Sequence, residues 1–365
     1  MGKQTENRKA EHISICLDKK AQARKATTGF EDVQFVHRAL PEVDKAKIDV
    51  STTVFGHKFS APLIVGAMTG GTTEATRINA AIAEAVESLQ LGMGVGSQRA
   101  AIENPKLAET FSVTRKKAPT AFLIANIGGI QLVHGCGVKE MKQAVEMIDA
   151  DAVAVHLNAL HEAVQPEGQT SFKGVLNKIC EVAGELDKPV IVKETGAGIA
   201  AEDAKKLERA GVKALDVGGA GGTSFAAVEY YRSEAGSVQR FLGDVFWDWG
   251  IPTATSLIET AQTIKIPVIA SGGLRSGMDV AKSLALNACL GSVCQPALEA
   301  AVKGGKATEK LLSRSIDELK TVMFLVGAEK VEDLAKTPVV VTGKTAEWFR
   351  ARGFNVEEYA RRGAH

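Results

Sequence analysis

The chain has 365 residues, of which 45% are hydrophobic, so it is long enough to bury one large α/β core. Its 44 basic residues nearly balance its 43 acidic residues, and the net charge of +1 argues against nucleic-acid or membrane-surface binding. The five cysteines show no CxxC or zinc-finger spacing, and no apolar run approaches the roughly 18 residues of a membrane helix. We therefore expect a cytoplasmic protein with no nucleic-acid or membrane partner.

The first 60 residues form a polar N-terminal extension. Residues 11–25 have a helical pattern, and residues 52–59 have the pattern of a hairpin that would cap the bottom of a barrel. Residues 61–365 then alternate short apolar runs with helical patterns. Because no linker separates the two regions, we expect one structural domain in which residues 1–60 contribute to the site built on residues 61–365.

Eight of the apolar runs have the pattern of buried strands. They lie at residues 62–66, 92–95, 121–125, 152–155, 189–192, 214–217, 268–270 and 289–292. Strands that are apolar throughout and alternate with helices predict a parallel sheet, and eight such repeats favour a closed (β/α)8 TIM barrel. The polar residues just after each strand would then meet at one mouth, which is where the chemistry of barrel enzymes takes place.

The most informative local pattern follows the seventh predicted strand. Residues 271–277, with the sequence SGGLRSG, connect that strand to a helical segment. The glycines allow the backbone to approach a ligand, the helix N-terminus attracts an anion, and Arg275 adds a permanent charge. This segment, called the phosphate loop below, predicts a phosphate site between the last two strands.

Two other features of the predicted mouth are more ambiguous. Lys193 ends an otherwise apolar strand, where an unpaired buried charge would be costly, and this favours a functional role. The glycine-rich residues 218–222 are equally consistent with a tight turn and with close approach to a ligand.

Ten short motifs occur in order along the chain. They are RKAEH from Arg8, AMTGG from Ala67, SQR from Ser97, AN at 125–126, HLN from His156, QPEG from Gln165, KE at 193–194, GGT at 221–223, WGIPT from Trp249, and the phosphate loop. Together these motifs resemble the type 2 isopentenyl diphosphate isomerases nearly from end to end. The N-terminal RKxxH element combined with the HLN loop is the most specific part of the resemblance.

The resemblance implies an enzyme of isoprenoid biosynthesis that interconverts isopentenyl and dimethylallyl diphosphates. It also implies FMN in its reduced form, Mg²⁺, NADPH as the flavin reductant, and a homotetramer or homo-octamer. The reduced flavin would deliver a proton to the alkene and stabilise the cationic character that follows, while the protein places the substrate.

Carried over residue by residue, the resemblance implies several groups of site residues. FMN would contact Ala67, Met68, Thr69, Ser97, Asn126, Lys193, Thr223, Gly273, Arg275, Cys294 and Gln295. The substrate would contact Arg8, Lys9, His12, Arg99, His156, Asn158 and His161. Glu162 would be the magnesium ligand, and His161 and Lys193 would be the catalytic residues.

The chain departs from the family pattern at residue 161. The family has a glutamine near the reacting carbon, whereas this chain has His161, which is bulkier and is able to carry or transfer a proton. Two alternatives therefore stay open. One is a flavin-binding variant with impaired isomerase turnover, and the other is an FMN-dependent barrel oxidoreductase acting on a small anionic substrate. Against the second, residues 216–223 contain neither the histidine base nor the nucleophilic cysteine that such enzymes need.

Overall fold

The computed structural model describes residues 2–18 and 21–363, with side chains from Arg8 onward. Within these residues the strands are β1 Val33–Phe35, β2 Thr52–Val54, β3 His57–Phe59, β4 Leu63–Val65, β5 Gly92–Gly94, β6 Phe122–Gly128, β7 Ala152–Leu157, β8 Val190–Glu194, β9 Ala214–Asp216, β10 Val268–Ala270, β11 Leu290–Val293 and β12 Val339–Val341.

The helices of the described residues cover the outside of the barrel and both ends of the chain. They are α1 Gly2–Asp18, α2 Thr73–Ser88, α3 Arg99–Glu103, α4 Glu109–Lys117, α5 Gly129–Leu132, α6 Val138–Met147, α7 Ala159–Val164, α8 Val175–Glu185, α9 Ala201–Arg209, α10 Phe225–Arg232, α11 Val238–Val245, α12 Thr253–Thr263, α13 Gly277–Ala285, α14 Gln295–Val302, α15 Gly305–Val326, α16 Val331–Leu334, α17 Gly343–Arg352 and α18 Glu357–Ala360.

Eight parallel strands, β4 to β11, form a closed barrel, which confirms the predicted TIM-barrel fold. Each predicted strand overlaps one barrel strand, and the differences are confined to strand ends. The ring closes where β11 pairs with β4, with Ser292 opposite Ile64. Inside the barrel, Ile64 belongs to a buried cluster that also contains Ile124, Ile191 and Ile269. Branched apolar side chains therefore fill the interior, as is usual for this fold.

The predicted hairpin is formed by β2 and β3 and closes the bottom of the barrel. Its two turn residues, Phe55 and Gly56, have φ of 54° and 77°, the left-handed backbone that a tight two-residue hairpin requires. Phe59 at the end of β3 is fully buried, and its ring centroid lies 5.3 Å from that of Phe122 at the start of β6. Because β6 begins at Phe122, the hairpin covers the N-terminal ends of the strands.

The N-terminal helix differs from its prediction at both ends. The sequence pattern predicts a helix over residues 11–25, whereas α1 begins at Gly2 and ends at Asp18. Residues 21–25 are not helical, and residues 19–20 lie outside the described residues. The backbone N–H of Ala23 instead donates to the carbonyl of Gly222, at 2.8 Å. Pairing with the loop after β9 therefore replaces helical hydrogen bonds in this segment and holds it at the C-terminal side of the barrel.

The two ends of the chain also meet outside the barrel, where β1 pairs antiparallel with β12.

Among the helices that the structure describes, none is both long enough and apolar enough to cross a membrane.

Candidate active site

A cavity of about 280 Å³ opens at the C-terminal ends of the barrel strands. Its wall is built from the loops that follow the strands, together with one face of α1. Every residue named from the sequence as a site residue, from Arg8 to Gln295, lines this cavity. The fold therefore brings together side chains that are far apart in the chain.

The phosphate loop connects β10 to α13, as its sequence predicts. Gly272 and Gly273 have φ of 103° and 78°, a region that other residues rarely adopt. The Arg275 guanidinium donates to Gln295 Oε1 at 2.6 Å, which links the loop to the N-terminus of α14. Among the described residues, the backbone amides of Gly273 and Cys294 have no hydrogen-bond acceptor. Free amides, a helix N-terminus and a guanidinium together fit a phosphate group.

His156, at the end of the barrel strand β7, is held by a chain of hydrogen bonds. Asn126 Nδ2 donates to the carbonyl of Val95 at 3.0 Å, so Asn126 Oδ1 accepts from His156 Nδ1 at 2.9 Å. Burial, assisted by the charge of Lys193, lowers the pKa of His156 to about 3. The ring is therefore neutral in the free protein, with its proton on Nδ1 and with Nε2 left for a ligand.

Two cationic side chains at the cavity wall already have protein partners. Lys9 Nζ donates to the carbonyl of Ser97 at 2.8 Å, and Arg99 Nε lies 2.7 Å from Glu103 Oε1. Burial first, and then the charge of Arg8, lowers the pKa of Lys9 to about 7. The positive charge on this side of the cavity therefore changes with pH near neutrality.

Glu162 on α7 is buried and accepts three hydrogen bonds. Asn158 Nδ2 donates to Oε1 at 2.9 Å, while Gln165 Nε2 and the backbone N–H of Gln169 donate to Oε2 at 2.8 and 2.7 Å. The side-chain oxygens of Asn158, Gln165 and Gln169 are buried without a hydrogen-bond donor. Hard cations prefer oxygen ligands, and Glu162 offers a buried carboxylate that is contacted by two amides, each with an unpaired oxygen, so Glu162 fits a magnesium ligand.

Lys193 is the last residue but one of β8, and the strands on either side of it carry titratable side chains. Its register partners are His156 on β7 and Asp216 on β9, and its Nζ donates to the carbonyl of Glu194 at 2.9 Å. Burial raises the pKa of Glu194 to about 7, even though backbone N–H groups of residues 195–197 donate to its carboxylate. Burial also raises the pKa of Asp216. The charge of Lys193 is therefore only partly compensated by its acidic neighbours, which favours an electron-rich ligand beside it.

His161 and His12 share one buried carboxylate. Their Nε2 atoms lie 2.7 and 3.0 Å from Oε1 of Glu229, which is fully buried on α10. Burial favours a raised pKa for Glu229, but the hydrogen bonds from the two histidines hold that pKa well below its usual range. Burial also lowers the pKa of His12 to about 4. The His161 ring is held further by Phe225, whose centroid lies 4.6 Å away.

Two residues that were not predicted from the sequence, Gln22 and Glu229, hold side chains of the cavity wall in place. Gln22 Nε2 donates to Thr223 Oγ1 at 3.1 Å, and Gln22 Oε1 accepts from Arg275. No local pattern marks Gln22, because its contacts are with distant loops. Glu229 did have a signal, since it is an acidic residue within the otherwise apolar or aromatic segment 225–231. A charge in such a segment requires partners, and the structure supplies them.

Comparison with known proteins identifies the family. The family model of FMN-dependent dehydrogenases matches residues 2–108 and 131–341. The isopentenyl-diphosphate delta-isomerase of Methanosarcina barkeri is 49% identical over 358 residues, covering 98% of this chain and 97% of the relative. The enzyme of the same name from Archaeoglobus fulgidus is 50% identical over 349 residues, covering 96% and 99%. The chain belongs to the isopentenyl-diphosphate delta-isomerase family.

Membership of the isopentenyl-diphosphate delta-isomerase family confirms the resemblance drawn from the ten motifs, and the match to FMN-dependent dehydrogenases supports FMN as the cofactor.

Solved structures show the same fold at low identity. A flavocytochrome b2 variant is similar with a TM-score of 0.65 and 18% identity, covering 95% of this chain and 85% of that one. A mandelate oxidase variant has a TM-score of 0.63 and 18% identity, covering 91% and 96%.

Arg275→Ala is expected to weaken FMN binding, because it removes a permanent positive charge from the phosphate loop. Loss of charge-assisted hydrogen bonds costs about 1.5–3 kcal/mol, which is roughly 10- to 100-fold in affinity. The measurements are the flavin content of the purified protein and the FMN affinity from flavin fluorescence on rebinding. Arg350→Ala, at an exposed position on α17, is the matched control. Equal FMN affinity in the two variants would show that the phosphate lies elsewhere.

Proposed function

We propose that this protein interconverts isopentenyl and dimethylallyl diphosphates in isoprenoid biosynthesis, using reduced FMN and Mg²⁺. The observation that carries the proposal is the nearly full-length identity to relatives named isopentenyl-diphosphate delta-isomerase. The cavity supports it in two ways. The phosphate loop fits the single phosphate of a cofactor, and a second set of cationic and polar side chains fits a diphosphate.

FMN would be held by two groups of residues. Gly273, Arg275 and the backbone at Cys294 and Gln295 would bind its phosphate. The remaining contacts would come from the loops and ends of the earlier strands, namely Ala67, Met68, Thr69, Ser97, Asn126, Lys193 and Thr223. When bound, reduced FMN supplies an electron-rich ring with an N–H that is able to protonate an alkene. Lys193 would orient that ring and balance negative charge on it, since its own charge is only partly compensated.

The diphosphate would bind at the opposite group of side chains. Arg8, Lys9 and His12 of α1 would act together with Arg99, His156 and Asn158. Lys9 and His156 are desolvated in the free protein, so a bound anion would favour their charged forms. Mg²⁺ at Glu162 would neutralise further charge, and it needs few protein ligands because substrate oxygens and water complete its shell. His161 would then lie beside the prenyl group.

The proposal is tested by following the fate of isopentenyl diphosphate under anaerobic conditions. The purified protein is supplied with FMN, Mg²⁺ and NADPH, the proposed flavin reductant, and the two prenyl diphosphates are quantified by NMR. We expect dimethylallyl diphosphate to form with no stoichiometric consumption of NADPH. Oxidation of a 2-hydroxy acid with consumption of an electron acceptor would instead support the oxidoreductase. Flavin binding without either reaction would support the variant with impaired turnover.

Glu162→Gln is expected to raise the Mg²⁺ concentration needed for half-maximal isomerisation by at least about tenfold, or to abolish activity. The amide keeps the size of the side chain but removes the charge that attracts the cation. Glu181→Gln, on the exposed face of α8, is the control. A magnesium titration that is the same in both variants would remove Glu162 from the metal site.

Diphosphate affinity is expected to fall as the pH rises through neutrality. Because burial lowers the pKa of Lys9 to about 7, this side chain is charged below that pH and neutral above it, and only the charged form attracts an anion. Because the diphosphate loses its contact with a charged Lys9, we expect its affinity to drop roughly tenfold between about pH 6 and about pH 8. Calorimetry with magnesium pyrophosphate measures the profile. Lys9→Arg stays charged and should give a flatter profile, so parallel profiles would contradict the role of Lys9.

His161→Gln is expected to raise isomerase turnover. A glutamine amide stays neutral, whereas a cationic imidazole beside the prenyl group would oppose the positive character that develops there. Turnover is measured with reduced FMN over a range of pH for both proteins. A lower rate in the variant would identify His161 as a proton-transfer group, and an unchanged rate would place residue 161 outside the chemistry.

A homotetramer or homo-octamer is supported by an exposed apolar face on and after α11. Val238, Phe241, Val245 and Trp249 are between 58% and 66% exposed and follow one another at near-helical spacing. Apolar faces of this kind usually mark an interface, so we place a contact between copies of the chain here. Light scattering should show dissociation of Phe241→Glu but not of Leu40→Glu, a substitution at an exposed leucine elsewhere.

The cytoplasmic location stays a prediction.

A further inference from the structure

We propose that His12, His161 and Glu229 form a binding site for a divalent transition-metal ion such as Zn²⁺, separate from the magnesium site at Glu162. The three residues come from α1, α7 and α10, and one ligand atom of each lies within 4.8 Å of the other two. The site goes beyond the proposed isomerase function, because it requires neither flavin nor prenyl substrate.

The two nitrogen–oxygen distances of this cluster are close to those that zinc requires. His161 Nε2 and His12 Nε2 lie 2.7 and 3.0 Å from Glu229 Oε1. In a tetrahedral zinc site with bonds of ~2.0–2.2 Å, neighbouring ligand atoms lie ~3.4 Å apart. Each nitrogen therefore needs to move from Oε1 by only roughly 0.4–0.7 Å to admit the ion. The ion would bind the lone pair of each Nε2, and the proton that Nε2 now shares with Oε1 would move to Nδ1 of the same ring.

The carboxylate of this site is held in place independently of the histidines. Arg232 Nη1 donates to Glu229 Oε2 at 2.6 Å, which leaves Oε1 directed at the two rings. Arg232 is itself bound by Glu11 and Glu167, at 2.9 and 2.8 Å. Partners of this kind orient metal ligands and strengthen binding.

The local charge favours a dication. Three carboxylates, those of Glu229, Glu11 and Glu167, surround the single guanidinium of Arg232. The positive charge of Arg8, on α1, lowers the pKa of Glu167 and offsets one of the excess negative charges. Apart from the histidines, three carboxylates and two guanidinium groups leave one net negative charge, so a bound cation gains Coulomb energy here.

The ligand types separate this site from the one at Glu162. Imidazole nitrogens suit Zn²⁺, Co²⁺, Ni²⁺ and Cu²⁺, whereas Mg²⁺ prefers oxygen ligands such as those around Glu162. His12 and His161 also line the cavity, so water or a ligand could occupy the fourth position of the metal. A glutamine at residue 161 would offer only an amide in place of the second imidazole. The site therefore depends on the residue at which this chain departs from its family.

Equilibrium dialysis of the flavin-loaded protein against Zn²⁺ tests the proposal. Excess Mg²⁺ is present to fill oxygen-only sites, and all proteins carry Cys180→Ser to remove an exposed thiol that could bind zinc. We expect one tightly bound Zn²⁺ per chain. His161→Gln and His12→Gln should each weaken zinc binding by more than about tenfold while keeping their flavin. His134→Gln, which removes an exposed histidine, should bind zinc like the parent.

Cobalt provides a second readout that reports on the ligands themselves. Co²⁺ should give the strong visible absorption of a four-coordinate ion in a difference spectrum against the metal-free protein, and this signal should be missing from His161→Gln. Zinc retained equally by the parent and both cavity-histidine variants would overturn the proposal. So would a parent protein that retains no zinc at micromolar free concentration.

Discussion

Closure of the barrel between β11 and β4 is the constraint on which the rest of the molecule depends. It places Gly291 opposite Leu63 and turns a parallel sheet into a ring, so that the C-terminal ends of all eight strands face one opening. In an open sheet, the loops after the first and last strands would lie at opposite edges. Ala67 and Cys294 share one cavity wall only because the ring is closed.

The mouth of this ring combines positive side chains with strong desolvation. Burial lowers the pKa of His156 to about 3 and that of Lys9 to about 7, and it raises the pKa of Glu194 to about 7. The free protein therefore reduces its own charge at the positions where a ligand would need it. A phosphate or diphosphate would reverse the shifts of His156 and Lys9 and would raise the pKa of Glu194 further, so ligand binding and proton uptake are coupled in this cavity.

One wall of the cavity belongs to α1, which is attached to the barrel by the buried side chain of Ile13 and by several polar contacts. Lys9 binds the loop after β5, His12 binds Glu229 on α10, and Glu11 pairs with Arg232. The Glu11 pair is partly exposed and contributes little, whereas loss of a partner of the buried Glu229 would be costly. A ligand or metal held between α1 and the barrel would therefore also strengthen the attachment of the helix.

The strands, the hairpin and the phosphate loop were all predictable from the sequence, because each has a local pattern of apolar periodicity or turn residues. Every site residue named from the motifs lines the cavity, although other lining residues, such as Ile13, Gln131 and Phe225, were not named. The C-terminal end of α1 was predicted wrongly, since backbone pairing between Ala23 and Gly222 outweighs the helical pattern there. The contact between Gln22 and Arg275, and the two histidines on Glu229, join residues far apart in the chain. Such contacts, and the pKa shifts that follow from burial, arise only when the folded chain excludes water, so no local pattern encodes them.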